Sequence, residues 1–215
     1  ANPAIEGEWS ITAQEMKDIK QRHENDNDTN FTNAILEQTD LISHLFGSPW
    51  LASKFQVRDL TVQPDAWFGQ YQERDGVSID RDTETAAEGK LYDFQVVPAG
   101  TPFDFHVVVE NAEPWELGLL VLGLHQFETE QIPLGGGRSR GLGVVRLDIE
   151  KTYWFDTEGN PEKLLDYLQQ LVRGEKDNYL LDINQWNQNR DGWVKEVIQK
   201  VRQKANESAN STAER

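Results

Sequence analysis

A chain of 215 residues with 37% hydrophobic content fits one domain, or one domain with appendages. It has no cysteine, which excludes a disulfide framework and a thiolate zinc site and suits a reducing, cytoplasmic setting, and no apolar run approaches the ~18 residues of a membrane span. A net charge of −16 argues against coating nucleic acid by bulk electrostatics, so a nucleic-acid site here has to be a local groove in an acidic body.

The N-terminus, Ala1 to Glu6, lacks the basic and apolar regions of a signal peptide, and without a starting Met it reads as a fragment or a processed piece. Residues 1–40 are expected to be an acidic helical insertion or linker. Within them, 10–40 read as helix, polar insertion, helix. Ser10-Ile11-Thr12-Ala13-Gln14-Glu15 resembles a capped start. Glu24 to Asn30 is too polar to pack, and Asp26 and Asp28 lack the Gly and Glu of an EF-hand, so it reads as a solvated loop. Ala34-Ile35-Leu36 and Leu41-Ile42-Leu45-Phe46 follow at helical spacing up to Gly47.

Phe55 to Val62 alternates and predicts a strand with one buried face. Gln63 to Lys90 is a long polar excursion, of a length that is usually functional or disordered. Leu91–Val97 and Thr101–Val109 are the next predicted strands, with Phe103, Phe105, Val107 and Val109 on one face. Pro114-Trp115-Glu116 opens a helix to Phe127, with Pro in the first turn. A strand over Val144–Phe155 comes next. Two helical pieces in 161–204 follow, one carrying Leu164, Leu165, Leu168, Leu171 and Val172 as an apolar stripe. Residues 205–215 read as a disordered polar tail. The order is most of an α+β ferredoxin-like βαββαβ unit that lacks its opening strand. The histidines at 23, 44, 106 and 125 are scattered, and a structural role is expected for each.

Between the helix and the Val144 strand lies Gly135-Gly136-Gly137-Arg138-Ser139-Arg140-Gly141-Leu142-Gly143, five glycines and two arginines in nine residues. Residues 131–147 hold three Arg and no carboxylate. Free N–H groups in such a turn make a concavity for anions, and guanidiniums grip phosphate bidentately. The stretch is no Walker A motif, since no Lys-Ser or Lys-Thr follows the glycines, and it lacks the strand-before, helix-after setting of the dinucleotide fingerprint. Phosphate binding and a plain tight turn both fit the loop taken alone.

Four segments in order carry a resemblance. Leu45-Phe46-Gly47-Ser48 with Ser53-Lys54-Phe55-Gln56-Val57-Arg58-Asp59, Asp75 to Thr83 (an Ile-Asp-Arg-x-Thr-like signature), Val97 to Phe103, and Gly135 to Gly143 are similar to segments of RAMP-superfamily proteins of CRISPR systems. The nearest group is the repeating backbone subunit of type III effector complexes. The resemblance implies a modified ferredoxin-like (RRM-like) core over 41–155, a thumb at 63–90 that interrupts the guide–target duplex, and C-terminal helices over 156–204.

It further implies binding of guide CRISPR RNA by its phosphates. Gly135, Gly136, Gly137, Arg138, Ser139, Arg140 and Gly141 would lie along the guide backbone, with Ser139 alternatively capping the turn. Lys54 and Arg58 would add phosphate contacts. In the thumb, Trp67, Phe68 and Tyr71 would stack on a base, worth ~1–3 kcal/mol each, or pack against a neighbour; Arg81 would contact RNA or form local ion pairs. Expected partners are guide and target RNA, other effector subunits, and an upstream RAMP segment or neighbouring subunit, with no membrane. No catalytic residue is assignable. Relatives that cut target RNA use an upstream Asp with a divalent metal, so a Mg ion belongs elsewhere in the complex. The alternatives are a metal-dependent endoribonuclease completed by such an upstream Asp, a guide-processing RNase using a His such as His44, and a purely structural assembly subunit.

Overall fold

The computed structural model describes residues 10–79 and 86–213. The fold is α+β: among the described residues there are six α-helices and three two-stranded antiparallel ladders. Two compact units divide the chain, one built from the residues up to Lys54 and from Glu110 onward, the other from Phe55–Val109.

The first unit begins with α1 (Ala13–Arg22), where the N-cap Thr12 and Glu15, three residues on, form a reciprocal capping box. Helix α2 (Asp28–Gln38) starts under Asn27, whose side chain accepts from the Asn30 N–H at 2.8 Å. The polar insertion is therefore shorter than its composition suggests, because a cap needs the same Asn and Asp residues as a loop. Ile11, Met16 and Ile19 form a small core with Phe31, Ala34, Ile35 and Trp50 packed against it. Trp50 Nε1–H donates to the Ile11 carbonyl at 2.8 Å. Helix α3 (Leu41–Phe46), capped by Asp40, ends at Gly47 as expected.

Helix α4 (Pro114–Glu128) and the long α6 (Ile183–Ala213) pack closely, burying Leu117, Leu120, Val121 and Val197. Gly118 permits this approach, since a Cβ there would sit 2.0 Å from the Trp193 carbonyl oxygen. Between them comes α5 (Pro161–Val172), capped by Asn160. The polar end expected to be a disordered tail continues α6 to Ala213. Ala205, Ala209 and Ala213 recur every fourth residue through it, and the helix propensity of Ala offsets the weaker Asn, Ser and Thr between them.

In the second unit, Phe55–Val62 is two strands rather than one. Here β1 (Phe55–Val57) pairs with β6 (Val107–Val109), and β2 (Thr61–Val62) with β5 (Phe103–Asp104). The ladder breaks at 58–60, and the predicted faces form only in part: Phe55 and Val62, and Phe105, Val107 and Val109, are half-buried, but Val57 is 51% exposed and Phe103 is 41% exposed. The excursion contains a hairpin, β3 (Gln72–Ile79) and β4 (Ala86–Val96), that runs past Lys90 to Val96. Arg81 lies outside the described residues.

The predicted strand Val144–Phe155 forms no ladder among the described residues beyond an isolated bridge between Tyr153 and Leu180. Its alternation is real, but a strand needs a partner edge, and only single backbone bonds such as Leu147 N–H to Phe127 O (3.1 Å) hold it.

Candidate nucleic-acid interface

The Gly-rich loop is pinched at its neck, where the Leu134 N–H donates to the Gly143 carbonyl at 2.8 Å. Gly143 has φ +83°, and a Cβ there would lie 1.9 Å from Leu134 O, so only glycine fits. Inside the neck, left-handed Gly137 (φ 70°) and Gly141 (φ 76°) bracket a 3-10 turn over Arg138–Arg140. The Arg140 N–H donates to Gly137 O at 2.8 Å, and the Gly141 N–H to Arg138 O at 3.2 Å.

Residues 134–141 are exposed throughout. The N–H groups of Gly135, Gly136 and Gly137 make no hydrogen bond among the described residues, nor does the side chain of Arg138. Ser139 does not cap the turn, since its hydroxyl has no partner among those residues either. The loop presents unspent donors and two guanidiniums from a carboxylate-free stretch. Beyond it, Arg146 is paired with Asp148 at 3.1 Å.

Lys54 is placed differently from Arg138. Its Nζ lies 2.8 and 2.7 Å from the two carboxylate oxygens of Glu116, which is completely buried. Glu116 also accepts the Glu113 N–H at 2.7 Å. His44 completes the cluster, with Nδ1 3.8 Å from Glu116 Oε1 and Nε2 3.0 Å from the Leu36 carbonyl oxygen. Lys54 thus neutralises a buried acid at the start of α4. Glu116 was not singled out in the sequence, although it is the one acid in an apolar helical run and stands at the helix-start position where a side chain can reach back to the backbone.

In the other unit, Arg58 sits in the break between β1 and β2, its N–H donating to His106 O at 3.1 Å. Its exposed side chain has no partner among the described residues. Just before β3, Trp67 stacks on Phe68 with centroids 5.9 Å apart and meets Tyr71 edge-on at 5.2 Å. Phe68 is 70% exposed and Tyr71 is 56% exposed. Large rings left in water beside a hairpin form an apolar platform.

A family model for the RAMP superfamily matches residues 9–146, well over half the chain. The chain belongs to the RAMP superfamily. Membership implies a CRISPR-associated, RNA-binding function within complexes of RNA and other subunits. The matched stretch of this RAMP protein includes the whole Gly-rich loop, Lys54, Arg58 and the aromatic platform. No curated protein matches the chain. Among the described residues, no group of three or more His, Asp or Glu could hold a metal ion, and no helix is long and apolar enough to cross a membrane.

Proposed function

We propose that this RAMP protein is a type III CRISPR effector subunit that holds guide RNA by its phosphates through the Gly135–Gly141 loop. The supporting observation is the loop itself: pinned at Leu134 and Gly143, exposed, free of carboxylate, and presenting the N–H groups of Gly135 to Gly137 beside Arg138 and Arg140. Backbone donors and guanidiniums favour a phosphate oxygen over any base edge. Such contacts position RNA without reading it, and base pairing by the guide supplies specificity.

Arg58 adds a further cation. The hairpin β3–β4 serves as the thumb, with Trp67, Phe68 and Tyr71 stacking at the guide–target duplex. In this reading the chain binds and shapes RNA in antiviral defence. It contributes no catalytic group, and target cutting with its divalent cation belongs elsewhere in the complex.

The test is Arg138→Ala/Arg140→Ala, assayed by filter binding to single-stranded RNAs of two unrelated sequences across a salt series. Affinity should fall roughly tenfold or more for both RNAs, because each charged hydrogen bond contributes ~1.5–3 kcal/mol. The log–log salt slope should flatten by about 1.4, at ~0.7 per lost phosphate contact. Unchanged affinity and slope would remove the loop from the RNA interface.

A further inference from the structure

Beyond residue 146, outside the stretch that matches the family, the first unit contains a cavity of about 380 Å³. That is within the range of ligand-sized clefts. Its aromatic wall is Trp154, Phe155 and Tyr179. These rings are held by others. Phe155 stacks on Tyr167 at 4.1 Å with planes 8° apart, Tyr179 meets both edge-on at 5.5 and 4.9 Å, and Trp154 packs on Trp193 at 5.1 Å. The wall is therefore preorganised.

Three carboxylates, Asp156, Glu158 and Asp166, share the cavity with one cation, Lys163. Lys163 Nζ is 2.5 Å from Glu158 and offsets that charge alone. Asp156 Oδ1 accepts the Glu158 N–H at 2.8 Å, while Asp166 has no partner among the described residues. Asp156 and Asp166, both exposed, leave two negative charges uncompensated in a pocket that they line together with the rings. These acids are not among any group able to hold a metal ion among the described residues. Phosphate or RNA would be repelled. A flat organic cation satisfies both halves of the site, stacking on a ring while donating a fork of hydrogen bonds to a carboxylate. Guanidinium has that shape and ammonium does not.

We propose that this cavity receives an arginine side chain from a partner protein, anchoring a subunit contact independent of the RNA-binding loop. The charge complementarity argues for a protein partner with a basic anchor, as buried arginines commonly dominate such contacts.

The test uses the full 215-residue chain and calorimetric titration with a neutral peptide bearing one arginine, compared with the same peptide bearing citrulline or lysine. The arginine peptide should bind at least tenfold tighter than the citrulline peptide and several-fold tighter than the lysine one. Asp166→Asn alone, and Asp156→Asn/Asp166→Asn, should each weaken the arginine peptide, the pair by tenfold or more. The amide oxygen introduced by Asp156→Asn still accepts the Glu158 N–H, and Asp166 has no partner to lose, so folding should be preserved. Equal binding of arginine and citrulline peptides, equal binding of the lysine peptide, undiminished binding by either variant, or displacement of the peptide by single-stranded RNA would each overturn the assignment.

Discussion

Lys54 and Arg138 both stand in family-like segments of the sequence, yet the fold uses them in opposite ways. Arg138 points its charge at solvent from a loop with no acid nearby, whereas Lys54 is spent on Glu116. Removing one member of a buried pair strands the other charge, at a cost of about 3–5 kcal/mol. Lys54→Ala should therefore lower the urea midpoint substantially while leaving RNA affinity of the folded fraction unchanged. The double change Lys54→Met/Glu116→Leu should recover most of the loss. A Lys54→Ala protein of full stability and reduced RNA affinity would return Lys54 to the phosphate contacts. One-dimensional spacing could not separate the two cations, because the deciding partner is 62 positions away.

At the scale of elements, the α4–α6 pair is the strongest packing in the first unit, and a charge cluster pins its end. Arg190 donates to both oxygens of Glu128, one at 3.1 Å, and His125 lies 2.8 Å from the same carboxylate. Burial works against ionising Glu128, but hydrogen bonds from Arg190 and His125, together with their charge, outweigh it and hold the carboxyl below its usual range. A depressed carboxyl stabilises the fold above its unfolded value, near 4.5, and that contribution is lost as pH falls through the lowered folded value. Thermal melts from pH 7 to 3 should show Glu128→Gln less stable than the parent at neutral pH, with the gap closing toward pH 3. A gap that widens on acidification would be inconsistent with this sign.

Helices were legible for a local reason. The cap at Thr12 and the apolar spacing of α3, α4 and α5 are written within a few residues of each element, whereas the Asn27 cap lies in a stretch whose polarity reads equally as a solvated loop. The strands were less so. Residues 55–62 and 144–155 alternate correctly, but whether alternation becomes a ladder depends on which distant edge is offered.

At the scale of the whole molecule, many large apolar side chains face solvent in both units. In α5, Leu164, Leu165, Leu168, Leu171 and Val172 are exposed, the last at 90%, and β1, β5 and β6 expose Val57, Phe103 and Val108. Within each unit, exposed apolar side chains of this kind mark interaction or aggregation sites. The isolated chain should bind an apolar fluorescent dye and self-associate, and Leu165→Gln/Leu168→Gln should reduce both signals without lowering the melting temperature. A cooperative, monomeric melt with no dye binding would contradict this expectation.

The amino-acid sequence alone determined the α+β class, the helix positions apart from the start of α2 and the end of α6, the RAMP resemblance and the chemistry of the Gly-rich loop. Each of these depends on residue type at short range: a cap, a periodicity, a glycine where φ is positive, an arginine where no acid is near. Tertiary structure decided the rest. It committed Lys54 to Glu116 and left Arg138 unpaired, split one predicted strand in two and left another without a ladder. It also gathered Trp154, Phe155, Tyr179 and Asp166 around one cavity. Those outcomes follow from which groups distant in the chain come within a few ångströms, and pairing, burial and cavity shape exist only once they do.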